Sequence, residues 1–155
     1  MKVHVLEREQ LIPATLDRVF EFFSDAANLS RLTPPWLGFQ ILSPLPIRTK
    51  AETRIDYTIR LGPVPMRWRT RISVWEQGRR FVDEQERGPY ALWEHTHEFT
   101  EMPGGVWMRD RVRYALPFGA LGALTHFLIV RALLARIFDF RFARVRELFA
   151  TAGGS

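Results

Sequence analysis

Arg54-Ile55-Asp56-Tyr57-Thr58-Ile59-Arg60-Leu61 alternates polar and apolar residues at every step, and Gly62-Pro63 ends the run. Successive side chains of a strand point to opposite faces, so Ile55, Tyr57, Ile59 and Leu61 share one face. The same period resumes in Met66, Trp68, Thr70, Ile72 and Val74, set against Arg67, Arg69, Arg71 and Ser73, and closes at Glu76-Gln77-Gly78. Arg80 to Arg87 predicts a third strand, ended by Gly88-Pro89. Leu92 to Glu101 predicts a fourth, ended by Pro103-Gly104-Gly105, and Val106 to Leu116 a fifth, ended by Pro117. Turns this short imply an antiparallel meander.

Upstream, Val3 to Ile12 predicts a strand. Thr15 is a helix cap, followed by Leu16, Val19, Phe20 and Phe23 at helical spacing up to Ser24-Asp25. Asn28 to Leu32 predicts a second short helix before Pro34-Pro35, and Leu37 to Leu42 a weaker strand. Downstream, Leu134, Ile137, Phe138, Phe142, Val145 and Phe149 form the apolar stripe of a long helix, whose start Gly119 and Gly122 leave open. The expected fold is α+β: a curved antiparallel sheet of about seven strands wrapped around a long C-terminal helix, with two short helices after the first strand. One domain spans 1–150, and 151–155 form a tail expected to fray.

Composition narrows the function. The 155 residues contain no cysteine, which excludes disulfides and thiolate metal sites or nucleophiles. The N-terminal residues lack the apolar stretch of a secretory signal, so the chain is expected to be cytoplasmic. The apolar run Phe118 to Val130 is shorter than the about 20 residues a membrane span needs. The net charge of +5 raises the question of nucleic acid. The arginines, however, fall on outer strand faces beside glutamates: Arg67, Arg69 and Arg71 on one strand, Arg109, Arg111 and Arg113 on another, with Glu84, Glu86, Glu94 and Glu98 between. That pattern predicts a salt-bridged solvent face and no nucleic-acid partner.

Three stretches carry a family resemblance. They are Ile12-Pro13-Ala14 through Val19-Phe20-Glu21-Phe22-Phe23-Ser24-Asp25, then Arg80-Phe81-Val82-Asp83-Glu84-Gln85 with Gly88-Pro89-Tyr90 and Trp93-Glu94-His95-Thr96-His97, and Asp110-Arg111-Val112-Arg113-Tyr114 with Pro117-Phe118-Gly119. Over nearly its whole length the chain resembles the SRPBCC or START-like superfamily, also called Bet v 1-like, whose fold is the helix grip. The stretches are similar to a bacterial ligand-binding subgroup, some of whose relatives are labelled cell-division-inhibitor-like and are fused to sugar-nucleotide epimerases. The resemblance implies the fold and a cavity for a small hydrophobic or amphipathic ligand, with no metal and no cofactor. The superfamily spans lipid carriers, receptors and polyketide cyclases, so it leaves the particular function open.

Strand parity defines the cavity's walls. Three arginines exclude the odd face of the Val106 strand from the interior, which turns Met108, Asp110, Val112 and Tyr114 inward. On the neighbouring strands Trp93, His95, His97 and Phe99, and Phe81, Asp83 and Gln85, face the same way. With Tyr57, Trp68 and Phe138 these are the expected ligand contacts. Asp83, Gln85, His95, His97, Asp110 and Tyr114 form a polar cluster open to three readings: a structural network, a patch that orients a ligand, or a catalytic or metal-binding group drawn from Asp83, His95, His97 and Asp110. Cyclase- or dehydratase-type acid–base chemistry by these four residues is the enzymatic alternative, with plain binding preferred. The Phe118–Val130 segment offers a further alternative, a hydrophobic lid, a homodimer surface or a peripheral membrane contact, with Arg131, Arg136, Arg141 and Arg144 near lipid headgroups.

Overall fold

The computed structural model describes residues 1–153, with side chains described through Ala150. One antiparallel sheet of seven strands runs in the order β1-β7-β6-β5-β4-β3-β2. Its strands are β1 (His4–Ile12), β2 (Gln40–Ile41), β3 (Arg54–Leu61), β4 (Val64–Glu76), β5 (Arg80–Arg87), β6 (Leu92–Met102) and β7 (Gly105–Ala115). The helices are α1 (Leu16–Ser24), α2 (Leu29–Leu32), α3 (Gly119–Thr125) and α4 (Arg131–Gly153). A wide π turn, His126–Val130, joins α3 to α4. This is the helix-grip fold that the alternation predicts. Of the tail expected to fray, 151–153 continue the backbone of α4, and 154–155 lie outside the described residues.

Local chemistry explains the boundaries. The Thr15 hydroxyl accepts from the Arg18 N–H at 3.4 Å, satisfying one of the free donors of α1. Asp25 then accepts from the Ala27 N–H at 3.0 Å and starts a short 3-10 turn. The hairpin from β6 to β7 turns on Gly104 and Gly105, and a Cβ on Gly105 would lie 2.1 Å from the Ile12 carbonyl oxygen. Only glycine allows β1 to close on β7 there.

Two expectations about strands need correction. The weak strand expected over Leu37–Leu42 shrinks to Gln40–Ile41, because Leu37 belongs to a 3-10 turn that ends at a left-handed Gly38. In β4 the inward parity does not continue to Val74. The pairing with β5 shifts register between Ile72 and Val74, a bulge that moves the following residues to the other face. Trp75 therefore packs inward, 5.2 Å from Phe20 and 5.4 Å from Phe81 between ring centres.

The concave face carries two apolar clusters. The larger gathers Phe20, Ile72, Phe81, Phe99, Met108, Val145 and Phe149, and the smaller Val112, Tyr114, Leu134 and Phe138. The convex face carries the expected charge rows. Arg71 reaches Glu84 at 3.0 Å and Glu86 at 3.4 Å, and Arg113 reaches Glu94 at 3.2 Å. Glu7 on β1 adds a further row, pairing with Arg109 and Arg111. Those exposed pairs contribute about 0–1 kcal/mol each, so their main effect is to neutralise the basic rows.

Joined end to end, the helical residues Gly119–Ala150 are long and apolar enough, by length and composition alone, to cross a membrane. The expectation that the apolar run is too short thus holds only for the segment before Arg131. Past that point Leu134, Phe138, Val145 and Phe149 are buried against the sheet. That half of the helix is the grip itself.

Candidate functional site

A cavity of ≈ 200 Å³ lies between the concave sheet and α4. Its walls run from buried Ile55 and Ile72 to half-buried Leu29, Phe39, Ile59 and Leu61, so it extends from the core toward the surface. Of the residues expected at the ligand, Tyr57, Trp68, Phe81, Asp83, Trp93, His95, His97 and Phe138 line it. Four others are elsewhere. Gln85 clamps the turn from β5 to β6, donating to the Tyr90 carbonyl at 2.9 Å and accepting from the Tyr90 N–H at 3.1 Å. Phe99 packs in the larger cluster, 5.2 Å from Phe20. Tyr114 is turned toward His126, with Oη 2.7 Å from Nε2. Asp110 lies behind the two histidines.

The pairing register explains the cluster. Asp83 stands opposite His95, and His97 opposite Asp110, on adjacent antiparallel strands. His97 Nε2 is 2.6 Å from Asp83 Oδ2, and His95 Nε2 is 2.8 Å from Asp110 Oδ1. The same Asp110 oxygen is 3.2 Å from His97 Nδ1, though that contact is too misaligned for a hydrogen bond. His95 Nδ1 lies 3.7 Å from Asp83 Oδ2. The imidazoles lie against each other at a tilt of 31°, with ring centres 3.7 Å apart.

Burial pushes both carboxyls up, but neighbouring cations outweigh it. His95, His97 and Arg141 leave Asp83 below its ordinary value, and Arg141 with the two histidines holds Asp110 well below it. Burial and the nearby His97 charge lower His95. Burial also opposes a charged His97, yet Asp110 and Asp83 beside it raise its pKa. Of the two histidines, His97 is therefore the one whose protonated form the carboxyls favour. Two carboxyls, two imidazoles and one guanidinium meet in the cluster. An ionised carboxylate only accepts, so His95 Nε2 donates to Asp110.

Arg141 is the site residue that strand parity does not find. The sequence reading places it only among the arginines near lipid headgroups. Its side chain is instead 13 % exposed, on the cavity wall, 3.8 Å from Asp110 and over the Phe23 ring. The signal lies in the spacing, because Leu134, Phe138, Arg141 and Val145 follow one another at helical intervals on the inner stripe. Of the other three arginines, Arg136 stacks over Trp36 and Arg144 pairs with Glu147.

A curved antiparallel sheet gripping a C-terminal helix, with a mixed apolar and polar cavity between them, defines a helix-grip protein. The chain belongs to the polyketide cyclase / dehydrase and lipid transport family, whose model matches residues 12–141. A Thermus thermophilus protein, TTHA0849, superposes with a TM-score of 0.70 at 21 % identity, over 96 % of this chain and 99 % of that one. The nucleoside-diphosphate sugar epimerase of Corynebacterium glutamicum matches over 92 % of this chain but 28 % of its own, with a TM-score of 0.63 and 22 % identity. The di-domain ARO/CYC protein StfQ from the steffimycin biosynthetic pathway matches over 99 % of this chain and 52 % of its own, with a TM-score of 0.71 and 14 % identity. At these identities the likeness is one of fold. No curated protein matches the chain significantly.

Proposed function

We propose that the chain binds a small, largely apolar molecule bearing a hydrogen-bonding oxygen, held between the sheet and α4. The carrying observation is a pair of donors on the cavity wall. Trp68 Nε1 and Arg141 Nε are buried and have no hydrogen-bond partner among the described residues. Leaving a buried donor unpaired costs about 1–3 kcal/mol, which a ligand oxygen would recover. A volume of ≈ 200 Å³ is below the about 300–1,000 Å³ of a drug-sized site, which favours a small ligand. Unpaired N–H donors call for an acceptor, so a carbonyl or hydroxyl oxygen suits this wall. A carbonyl there would sit near the His97–Asp83 pair, the groups from which acid–base chemistry on it would draw a proton.

Trp68 and Trp93 make tryptophan fluorescence a direct readout. Titration with matched hydrocarbons and ketones should quench it, the ketone binding tighter by about tenfold, the equivalent of one net hydrogen bond. Arg141→Met should narrow that preference. Equal affinity for both compounds, unchanged by the substitution, would count against an oriented ligand.

A second reading rests on a separate observation. Phe118, Leu121, Leu124, Phe127, Leu128 and Ile129 are all more than half exposed, with Phe118 at 80 % and Phe127 at 76 %. No acidic residue occurs between Asp110 and Asp139, while Lys2 and Arg131 flank the patch. An apolar tip inside a basic field favours an anionic membrane surface as its partner. Vesicle binding by variants of Phe127 and Leu128 tests this.

A further inference from the structure

We infer that Asp83, His95 and His97 form a binding site for one first-row divalent cation, zinc foremost, with an open coordination position facing the cavity. Strand parity leaves metal binding as one part of one reading among three, since His-x-His spacing is weak support and the resemblance implies no metal.

Three donor atoms converge. Asp83 Oδ2, His97 Nε2 and His95 Nδ1 each come from a residue that lines the cavity, and the three atoms lie within 4.8 Å of one another. In a tetrahedral zinc site, with bonds of about 2.0–2.1 Å, donor atoms stand about 3.3 Å apart. The two separations from Asp83 Oδ2, 2.6 Å to His97 and 3.7 Å to His95, lie on either side of that value. Side-chain shifts of about half an ångström make them equal.

The surrounding groups are the second observation. Metal-bound histidines keep their other ring nitrogen on a carboxylate or carbonyl, which fixes the tautomer. Here one oxygen of Asp110 hydrogen-bonds the remote nitrogen of His95 at 2.8 Å and lies 3.2 Å from that of His97, out of line for a hydrogen bond. Arg141 in turn lies 3.8 Å from that oxygen. Two nitrogens and one oxygen, with no thiolate, suit zinc and its neighbours in the series rather than calcium or magnesium. Binding displaces the proton between His97 and Asp83. The three protein ligands leave a fourth position to the cavity, where water or a ligand oxygen would coordinate.

Zinc alone reads out the site, so its failure would leave the apolar-ligand reading intact. The chelator-stripped chain, titrated calorimetrically with zinc, should bind one ion per chain. Zinc should shift the imidazole resonances of His95 and His97 and leave those of His4 and His126, a stacked pair at 3.5 Å and the only other histidines. His97→Gln and Asp83→Asn should abolish binding. Asp110→Asn should weaken it by about 10–100-fold, and the double variant His4→Gln/His126→Gln should bind as before. The resonance measurement needs no substitution, so it decides even where a variant fails to fold. Absence of zinc binding, or shifts confined to His4 and His126, would overturn the inference.

Discussion

His4 and His126 carry a prediction of their own at the scale of single residues. Their rings stack at the start of the C-terminal helical segment, and His126 meets the Tyr114 hydroxyl. Burial and the Lys2 charge lower the pKa of His4, while burial, His4, Arg131 and Lys2 lower that of His126. Both folded values lie below the ordinary 6.5, so the unfolded chain takes up these protons first as pH falls. The stability the pair contributes is full above pH 6.5 and is lost as pH drops below it. The melting temperature of His4→Gln/His126→Gln should therefore fall less steeply than that of the native chain below this pH. Parallel curves would contradict it. Neither this contact nor the inward turn of Arg141 follows from strand parity. Tyr114 and His126 come from different elements, and an arginine on an apolar stripe reads as solvent-facing until its carboxylate partner is located. Asp83, His95, His97 and Asp110, by contrast, are legible, because the arginine row of β7 and the glutamates of β6 fix the opposite faces, while β5, with Val82 among its outer residues, fixes its own less clearly.

At the scale of elements, strict alternation locates β3 to β7 because each side chain has only two faces to choose from. It fails at the β4 bulge, where one extra residue moves Trp75 inward, since no residue at 73 marks a register shift. It is weak at β2, where two paired residues carry no period. The α3 segment is the other departure. Its apolar residues nearly encircle the helix, so the sequence does not say which side the protein covers. In the structure most are left to solvent, which makes this element the one to test against membranes. Vesicles containing phosphatidylserine should sediment the chain, while neutral phosphatidylcholine vesicles should sediment much less. Phe127→Ser/Leu128→Ser should lower the affinity about tenfold or more with the fold intact, from the lost apolar burial. Retained binding by that variant, or equal binding to both lipids, would exclude the exposed 118–129 patch as an anionic-membrane contact.

Across the whole molecule, the sheet and α4 divide the labour. The convex face neutralises its own arginines through cross-strand pairs. The two apolar clusters fix α4 on the concave face, and the space left between sheet and helix is the cavity. Register brings Asp83, His95, His97 and Asp110 together from β5, β6 and β7 without a loop, and α4 adds Arg141 to the polar wall. Native mass spectrometry of the chain purified from the cells that make it tests the central claim most directly. The account predicts a single non-covalent organic adduct per chain, small, mostly hydrocarbon and oxygen-bearing, released when the fold is denatured. A bare chain, with no adduct and no rise in melting temperature across a panel of ketones, quinones and fatty alcohols, would contradict it.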